Sequence, residues 1–334
     1  MRWDVAGIGN ALMDALVVLQ DDSLVDDLGL VRGTMHLVDH ARWTEVYERV
    51  QQSGVVFDSG GSCANTIATV GRLGGRAIYS GQVGDDQMGL LYASMMERAC
   101  GSHRLRFTKV AATGKCLSII SARDAERTML TDLGAATRLP DLGPFADELR
   151  QSRVAHFEGY TLLEGPNRQV TMEGLTIAEG AGAVVSLDAS DPFVVAQIRD
   201  LFWNLLQQHV DVVFLNIEEA RALADLEDPE AAARRIAHHG ELGIVAVKLG
   251  ARGSLVVHEG EVYRIPVYPV KAIDTTGAGD AYAGGFLYAL SQGWSPVRAG
   301  RLASSVAAMA VGQVGAVVKD ASALERAVSG VAET

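Results

Sequence analysis

Short, almost wholly apolar runs recur through the second half of this chain, at residues 154–157, 183–187, 212–215 and 244–249, with helically spaced stretches such as 166–179 and 229–239 between them. Strands covered on both faces read as continuous apolar runs, and a parallel connection needs a crossover about as long as a helix. The alternation therefore predicts an α/β fold, a mostly parallel sheet flanked by helices on both faces. Two regions break the rhythm, 12–19 with 34–38 and 109–131, and read as strands joined by loops without intervening helices. They predict a small β-sheet lid, inserted from about 12–40 and 108–132 into one domain spanning 1–334. No repeat, low-complexity tract or long linker divides the sequence.

Net charge restricts the partners. With 41 acidic against 29 basic residues the chain carries −12, and no basic stripe offsets it, so a nucleic acid duplex would be repelled. The least polar long run, 302–318, is interrupted by Ser304, Ser305, Gly312, Gln313 and Gly315 and falls short of the ~20 apolar residues of a membrane span. Cys63, Cys100 and Cys116 show no C-x-x-C spacing, and residues 1–4 lead straight into a strand-like run without a secretory h-region. These features predict a cytoplasmic protein with buried, unpaired cysteines.

The densest chemistry lies in Asp274-Thr275-Thr276-Gly277-Ala278-Gly279-Asp280, which runs into an apolar helical pattern. Two glycines let the backbone bend with its N–H groups bare, at the positive end of a helix dipole, which makes an anion pocket. An aspartate in that first turn is placed to take the proton of a hydroxyl attacking phosphorus. Other segments are less specific by themselves. Gly7-Ile8-Gly9-Asn10-Ala11-Leu12 lacks the third glycine of a dinucleotide fingerprint, and 13–19 reads as a strand where that fingerprint needs a helix. Thr113-Gly114-Lys115-Cys116 has Cys116 where a Walker A loop needs Ser or Thr. Gly60-Gly61-Ser62-Cys63-Ala64-Asn65 opens a helix after adjacent glycines that let a polyol approach the backbone. Asn216-Ile217-Glu218-Glu219 follows a strand, where ligands collect in open α/β sheets, and equally fits a helix-capping box.

The D-T-x-G-A-G-D turn, with the other segments in matching order over essentially the whole chain, resembles the ribokinase-like (PfkB) family of carbohydrate and nucleoside kinases. The T-G-x-C strand and Arg127-Thr128-Met129 resemble its adenosine-kinase-like branch. The resemblance implies transfer of the γ-phosphoryl group of ATP to a primary hydroxyl of a ribose-containing acceptor, adenosine or a related nucleoside, with fructokinase-, ribokinase- or keto-deoxy-sugar-acid-type activity as the alternative. It implies Asp280 as catalytic base, the amides of Gly277, Ala278 and Gly279 as the anion hole, and Arg127 reaching from the lid. Asn10, Asp14, Gly60, Gly61 and Asn65 would hold the acceptor. Asn216, Lys248, Gly250 and Gly253 would lie along the nucleotide phosphates, Lys248 either adding charge there or snorkelling outward from its strand end. Glu219 would organise Mg²⁺ through water, and Asp274 and Thr276 would border a K⁺ site. Thr276 departs from the Asn of many eukaryotic adenosine kinases. The expected partner is a small-molecule acceptor, with no nucleic acid or membrane, and the chain itself is expected to be a monomer or homodimer.

Overall fold

The computed structural model describes residues 2–332 except 22 and 125. Its main sheet has eight strands in the order Glu261–Ile265, Ser254–His258, Ile244–Lys248, Val212–Asn216, Val184–Asp188, Ser152–Glu158, Trp3–Ile8 and Ala77–Ser80. The strands from Ile244–Lys248 to Ala77–Ser80 are parallel, and the other two close one edge as antiparallel hairpin partners. Side chains alternate across a strand, so each central strand feeds two cores. In Val212–Asn216, Val213 and Leu215 join Phe202, Leu223 and Ile236 on one face, and Val212 and Phe214 join Ile67, Phe286 and Val306 on the other. The predicted strands and the helices Pro166–Gly180 and Pro229–His239 are all present.

A second sheet has the order Met35–Leu37, Arg127–Asp132, Gly114–Ser121, Leu12–Leu19, Val56–Gly60. It differs from expectation in two respects. Val56–Gly60 supplies an unforeseen strand, and the helix Ser23–Asp27 stands where only a loop was expected, while a further helix, His40–Val50, begins where the expected lid segment ends. The longer helix is capped by Asp39, whose side chain accepts from the Arg42 amide, and it buries Trp43, Val46 and Val50 at helical spacing. Those three pack on Ala15, Val17, Leu117, Ile119 and Leu130, which cover the back of the second sheet.

Directly opposed residues share a face of a sheet. The register therefore puts Asp14, Asp58, Cys116, Thr131 and Leu37 on the other face, together with Leu16, Ser118, Met129 and Met35. Leu16 turns this face toward the carboxyl ends of the main strands, its Cδ1 lying 3.6 Å from where a Cβ on Gly315 would stand. Lys115, one residue off, points backward, its ammonium 4.6 Å from the Trp43 ring centroid and 2.8 Å from His40 Nδ1. All three cysteines are buried and unpaired.

Phe214 is the best probe of the main core. It is fully buried at 0% exposure and meets the rings of Phe286 at 5.4 Å, His156 at 6.3 Å and Tyr282 at 6.4 Å. Phe214→Ala is expected to lower stability by about 3–5 kcal/mol in equilibrium urea unfolding, a large cavity loss in a site that cannot collapse.

Candidate active site

The carboxyl ends of adjacent parallel strands collect charged groups where an open α/β sheet offers a crevice. Glu158, Asp188, Asn216 and Lys248 are each the last residue of their strand. Above them begins the helix Ala278–Ser291, with Gly277 as its N-cap at φ 67°. A Cβ there would stand 2.2 Å from Ala316 Cβ and 2.7 Å from Ala316 Cα, so both the left-handed conformation and the close contact require glycine. Asp274, wholly buried, shapes the turn. One carboxylate oxygen accepts from the Thr276 amide (2.8 Å) and hydroxyl, the other from the Gly315 amide at 3.0 Å.

Asp280 sits in the first turn of that helix and meets the first turn of a second helix, Ser62–Arg72. Ser62 Oγ donates to Asp280 Oδ1 at 2.8 Å and Asn65 Nδ2 to Oδ2 at 2.9 Å. Burial pushes the Asp280 carboxyl up to about 6 against the hydrogen bond from Asn65, with Asp188 adding like charge. Asn65 is buried, and its Oδ1 has no hydrogen-bond partner, an acceptor left open beside Asp280. Such an atom is costly unless a ligand donor meets it.

Gly60 and Gly61 precede that helix. A Cβ on Gly61, at φ 97°, would stand 2.1 Å from the Asn10 carbonyl, and one on Gly60 would stand 2.2 Å from the Asp14 carboxyl. Burial raises Asp14 to about 8, reinforced by Asp58, Asp280 and Asp274 and opposed by Arg127. Arg127 is half-buried at the start of the strand Arg127–Asp132, two strands away in the same sheet. Asn10 is held at Oδ1 by Asn167 Nδ2 at 2.8 Å, and its amide donates to Glu158 Oε1 at 2.8 Å.

Lys248 points into the crevice instead of snorkelling outward. Its Nζ donates to Asp188 Oδ2 at 2.9 Å and lies 3.1 Å from where a Cβ on Gly279 would be. Burial works against this ammonium, but Asp188 and Glu219 outweigh it and hold its pKa above the ordinary lysine value. Asn216 and Glu219 close a capping box, with Asn216 N and Nδ2 donating to the two Glu219 oxygens at 2.6 Å. Burial raises Glu219 to about 7. Gly250 and Gly253 form the turn after Lys248. A Cβ on Gly253 would stand 2.1 Å from the Ile265 carbonyl, whereas Gly250 faces open space. Of this segment only Lys248 reaches the Asp280 group.

Glu158, Asp188 and Ser62 were not anticipated. The acids stand immediately after two apolar runs, a signal present in the sequence but belonging to no motif. Among the described residues no group of three His, Cys, Asp or Glu side chains is arranged to hold a metal. Asp188 and Asp191 nevertheless outnumber the one ammonium, Lys248, acting on Glu219 among the described residues, a set of hard oxygens that suits a divalent cation held largely by phosphates and water. No helix of the described residues is long and apolar enough to cross a membrane.

This geometry gathers a glycine-bent helix N-terminus, a half-buried carboxylate and a buried, unpaired acceptor atom around one crevice, and the comparisons agree on the class of protein. The pfkB family carbohydrate kinase model matches residues 33–322. An adenosine kinase structure from Sinorhizobium meliloti is similar at 34% identity and TM-score 0.89, over 99% of both chains. A probable sugar kinase from Rhizobium etli CFN 42 is similar at 32% identity and TM-score 0.90, again over 99% of both. A 5-dehydro-2-deoxygluconokinase of Geobacillus thermodenitrificans is 28% identical over 264 residues, 75% of this chain and 78% of that one. The chain belongs to the PfkB family. It is a carbohydrate or nucleoside kinase, a phosphotransferase with an alcohol group as acceptor, and the family implies ATP as donor.

The raised carboxyls have a consequence for stability. Asp280, Glu158 and Asp14 hold protons in the folded chain up to about 6, 7 and 8, whereas unfolded carboxyls release them near ~4. The folded state therefore binds more protons across that window, and the ligand-free protein loses stability as pH rises through it. Thermal unfolding followed from about pH 5 to 8.5 should show Tm falling, and Asp14→Asn should flatten the upper part of the slope.

Proposed function

We propose that this kinase phosphorylates a primary hydroxyl of a ribose-containing acceptor, adenosine or a related nucleoside. The observation that carries this reading is the face of the second sheet around Asp14. Leu16, Val18, Met129, Met35 and Leu37 share that face, and Val18, Met35 and Leu37 are 39%, 41% and 62% exposed. A free sugar has little to bury against such a strip. A nucleobase attached to the ribose has a flat apolar surface that fits it.

In this reading the second sheet is the lid. The Asp14 carboxylate accepts from vicinal ribose hydroxyls, while Gly60 and Gly61 let the sugar approach the backbone. Asn65 Oδ1 takes a donor from the sugar, and Asn10 borders it. The 5′ oxygen, held before the helix terminus, attacks the γ-phosphorus of ATP as its proton passes to Asp280. The new O–P bond forms, the bond to the β-phosphate oxygen breaks, and ADP leaves. Charge developing on the transferring group is met by the amides of Gly277, Ala278 and Gly279, by Lys248 and by Arg127 from the lid. Asn216, Gly250 and Gly253 border the nucleotide. Mg²⁺, reached from Glu219 through water, would neutralise phosphate charge. K⁺ is supported beside Asp274 and Thr276 because that carboxylate is wholly buried and its three donors are all uncharged.

An ATP-dependent acceptor screen across nucleosides and free sugars tests the assignment. Adenosine-like acceptors are expected to give kcat/KM at least ~10-fold above fructose, ribose or a keto-deoxy sugar acid, an advantage of over ~1.4 kcal/mol. A sugar preferred by the same margin replaces the nucleoside reading with the sugar-kinase one.

The catalytic role is tested separately. Asp280→Ala should lower kcat by about 10²–10⁴-fold with acceptor Kd nearly unchanged. In the unmodified enzyme kcat/KM should rise with pH through about 6, where Asp280 of the free enzyme sheds its proton. Replacing K⁺ by tetramethylammonium at constant ionic strength should lower kcat, and an unchanged rate removes the monovalent site.

A further inference from the structure

Glu158 ends the strand Ser152–Glu158 and is 1% exposed. Its two carboxylate oxygens accept different backbone amides, Oε1 from Asn10 at 2.8 Å and Oε2 from Cys63 at 2.7 Å. Those amides belong to the Gly9–Asn10 loop and to the start of the helix Ser62–Arg72, which are distant in sequence from Glu158 and from each other. The packing leaves little slack. A Cβ on Gly9 would stand 2.8 Å from Glu158 Oε2, and one on Gly61 would meet the Asn10 carbonyl at 2.1 Å. The charged groups facing Glu158 are Asp188 and Asp280, both acidic. Cys63, Tyr79, Tyr92 and Tyr160 are the other ionisable neighbours, and burial pushes all four up, which keeps them neutral. Glu158 is thus tied to the two segments through hydrogen bonds alone.

We propose that Glu158 is a positioning residue whose carboxylate fixes the spacing between the Asn10 loop and the Gly61–Asn65 segment, and thereby the enzyme's grip on its acceptor. The inference rests on the acceptor site assigned above. A carboxylate can accept from two amides at once, one on each oxygen. A protonated carboxyl or a side-chain amide presents one of its two positions as a donor, which faces the opposing N–H and pushes that segment away. Burial holds the carboxyl up to about 7, against the two amides that favour its charged form. Acceptor binding therefore weakens as pH falls below neutrality, separately from the titration of the base.

Glu158→Gln in the full chain tests this through amide hydrogen exchange and steady-state kinetics. At neutral pH, exchange should quicken in peptides covering Asn10 and Cys63 and stay unchanged elsewhere. Acceptor KM should rise about tenfold, while KM for ATP stays within about twofold. The rise of acceptor KM below neutrality should vanish in the variant, while the pH dependence of kcat remains. Glu158→Asp, which keeps the charge on a shorter stem, should lie between the two. Unchanged exchange at both segments overturns the proposal. So does faster exchange along the whole chain, or an equal rise in the Michaelis constants for acceptor and ATP, because each marks a merely structural role. Should the unmodified protein phosphorylate no acceptor tried, the acceptor reading fails, and the exchange comparison still decides whether Glu158 fixes the two segments.

Discussion

Two helix N-termini meet across one carboxylate, and the crevice is organised around that meeting. Asp280 belongs to one first turn and is gripped by Ser62 and Asn65 from another. The helices lie close enough that a Cβ on Gly284 would stand 2.6 Å from Thr69 Cβ and 2.7 Å from the Thr66 carbonyl. Thr66 Oγ1 also donates to the Asp280 carbonyl at 3.3 Å. Both positive dipole ends therefore face the same space, which in the proposed reaction would draw polyphosphate there despite the acidity of the chain. The turn before the helix Ala278–Ser291 is kept open by Asp274, pinned to Gly315, and by a glycine that nothing larger can replace.

Around that centre the electrostatics are deliberately unbalanced. Asp14, Glu158, Glu219 and Asp280 are all raised by burial, and Lys248 is the ammonium among them. Such a cluster is uncomfortable when empty of cations and donors. In the proposed reaction, hydroxyl protons at Asp14 and Asp280 and cation charge around Glu219 would relieve it.

What was legible in the sequence followed from locality. The GAGD turn and the Gly60–Asn65 segment compress their geometry into a few consecutive residues, so the pattern carries the three-dimensional idea with it. The parallel core was equally readable, because strands buried on both faces leave unbroken apolar runs. Glu158 and Asp188 were not read, since one acid after such a run acquires meaning only when neighbouring strands end at the same level. The second sheet was drawn too small for a related reason. The missed strand, Val56–Gly60, pairs antiparallel with Leu12–Leu19 across a stretch that carries a helix between them, and no local pattern marks that pairing. Trp43, Val46 and Val50 do carry helical spacing, and the reading stopped just short of them. Asn216-Ile217-Glu218-Glu219, which resembles the family's motif, is also a helix-capping box, so one local pattern carried both readings.

The second sheet divides its labour between its two sides. Ala15, Val17, Leu117, Ile119 and Leu130 are spent on a private core with the His40–Val50 helix, while the side chains one position away look into the crevice. Folding and, in the proposed function, recognition are thus written on alternate letters of the same strands. Descendants of such a chain can exchange one set for a new clientele while the other set goes on holding the roof together.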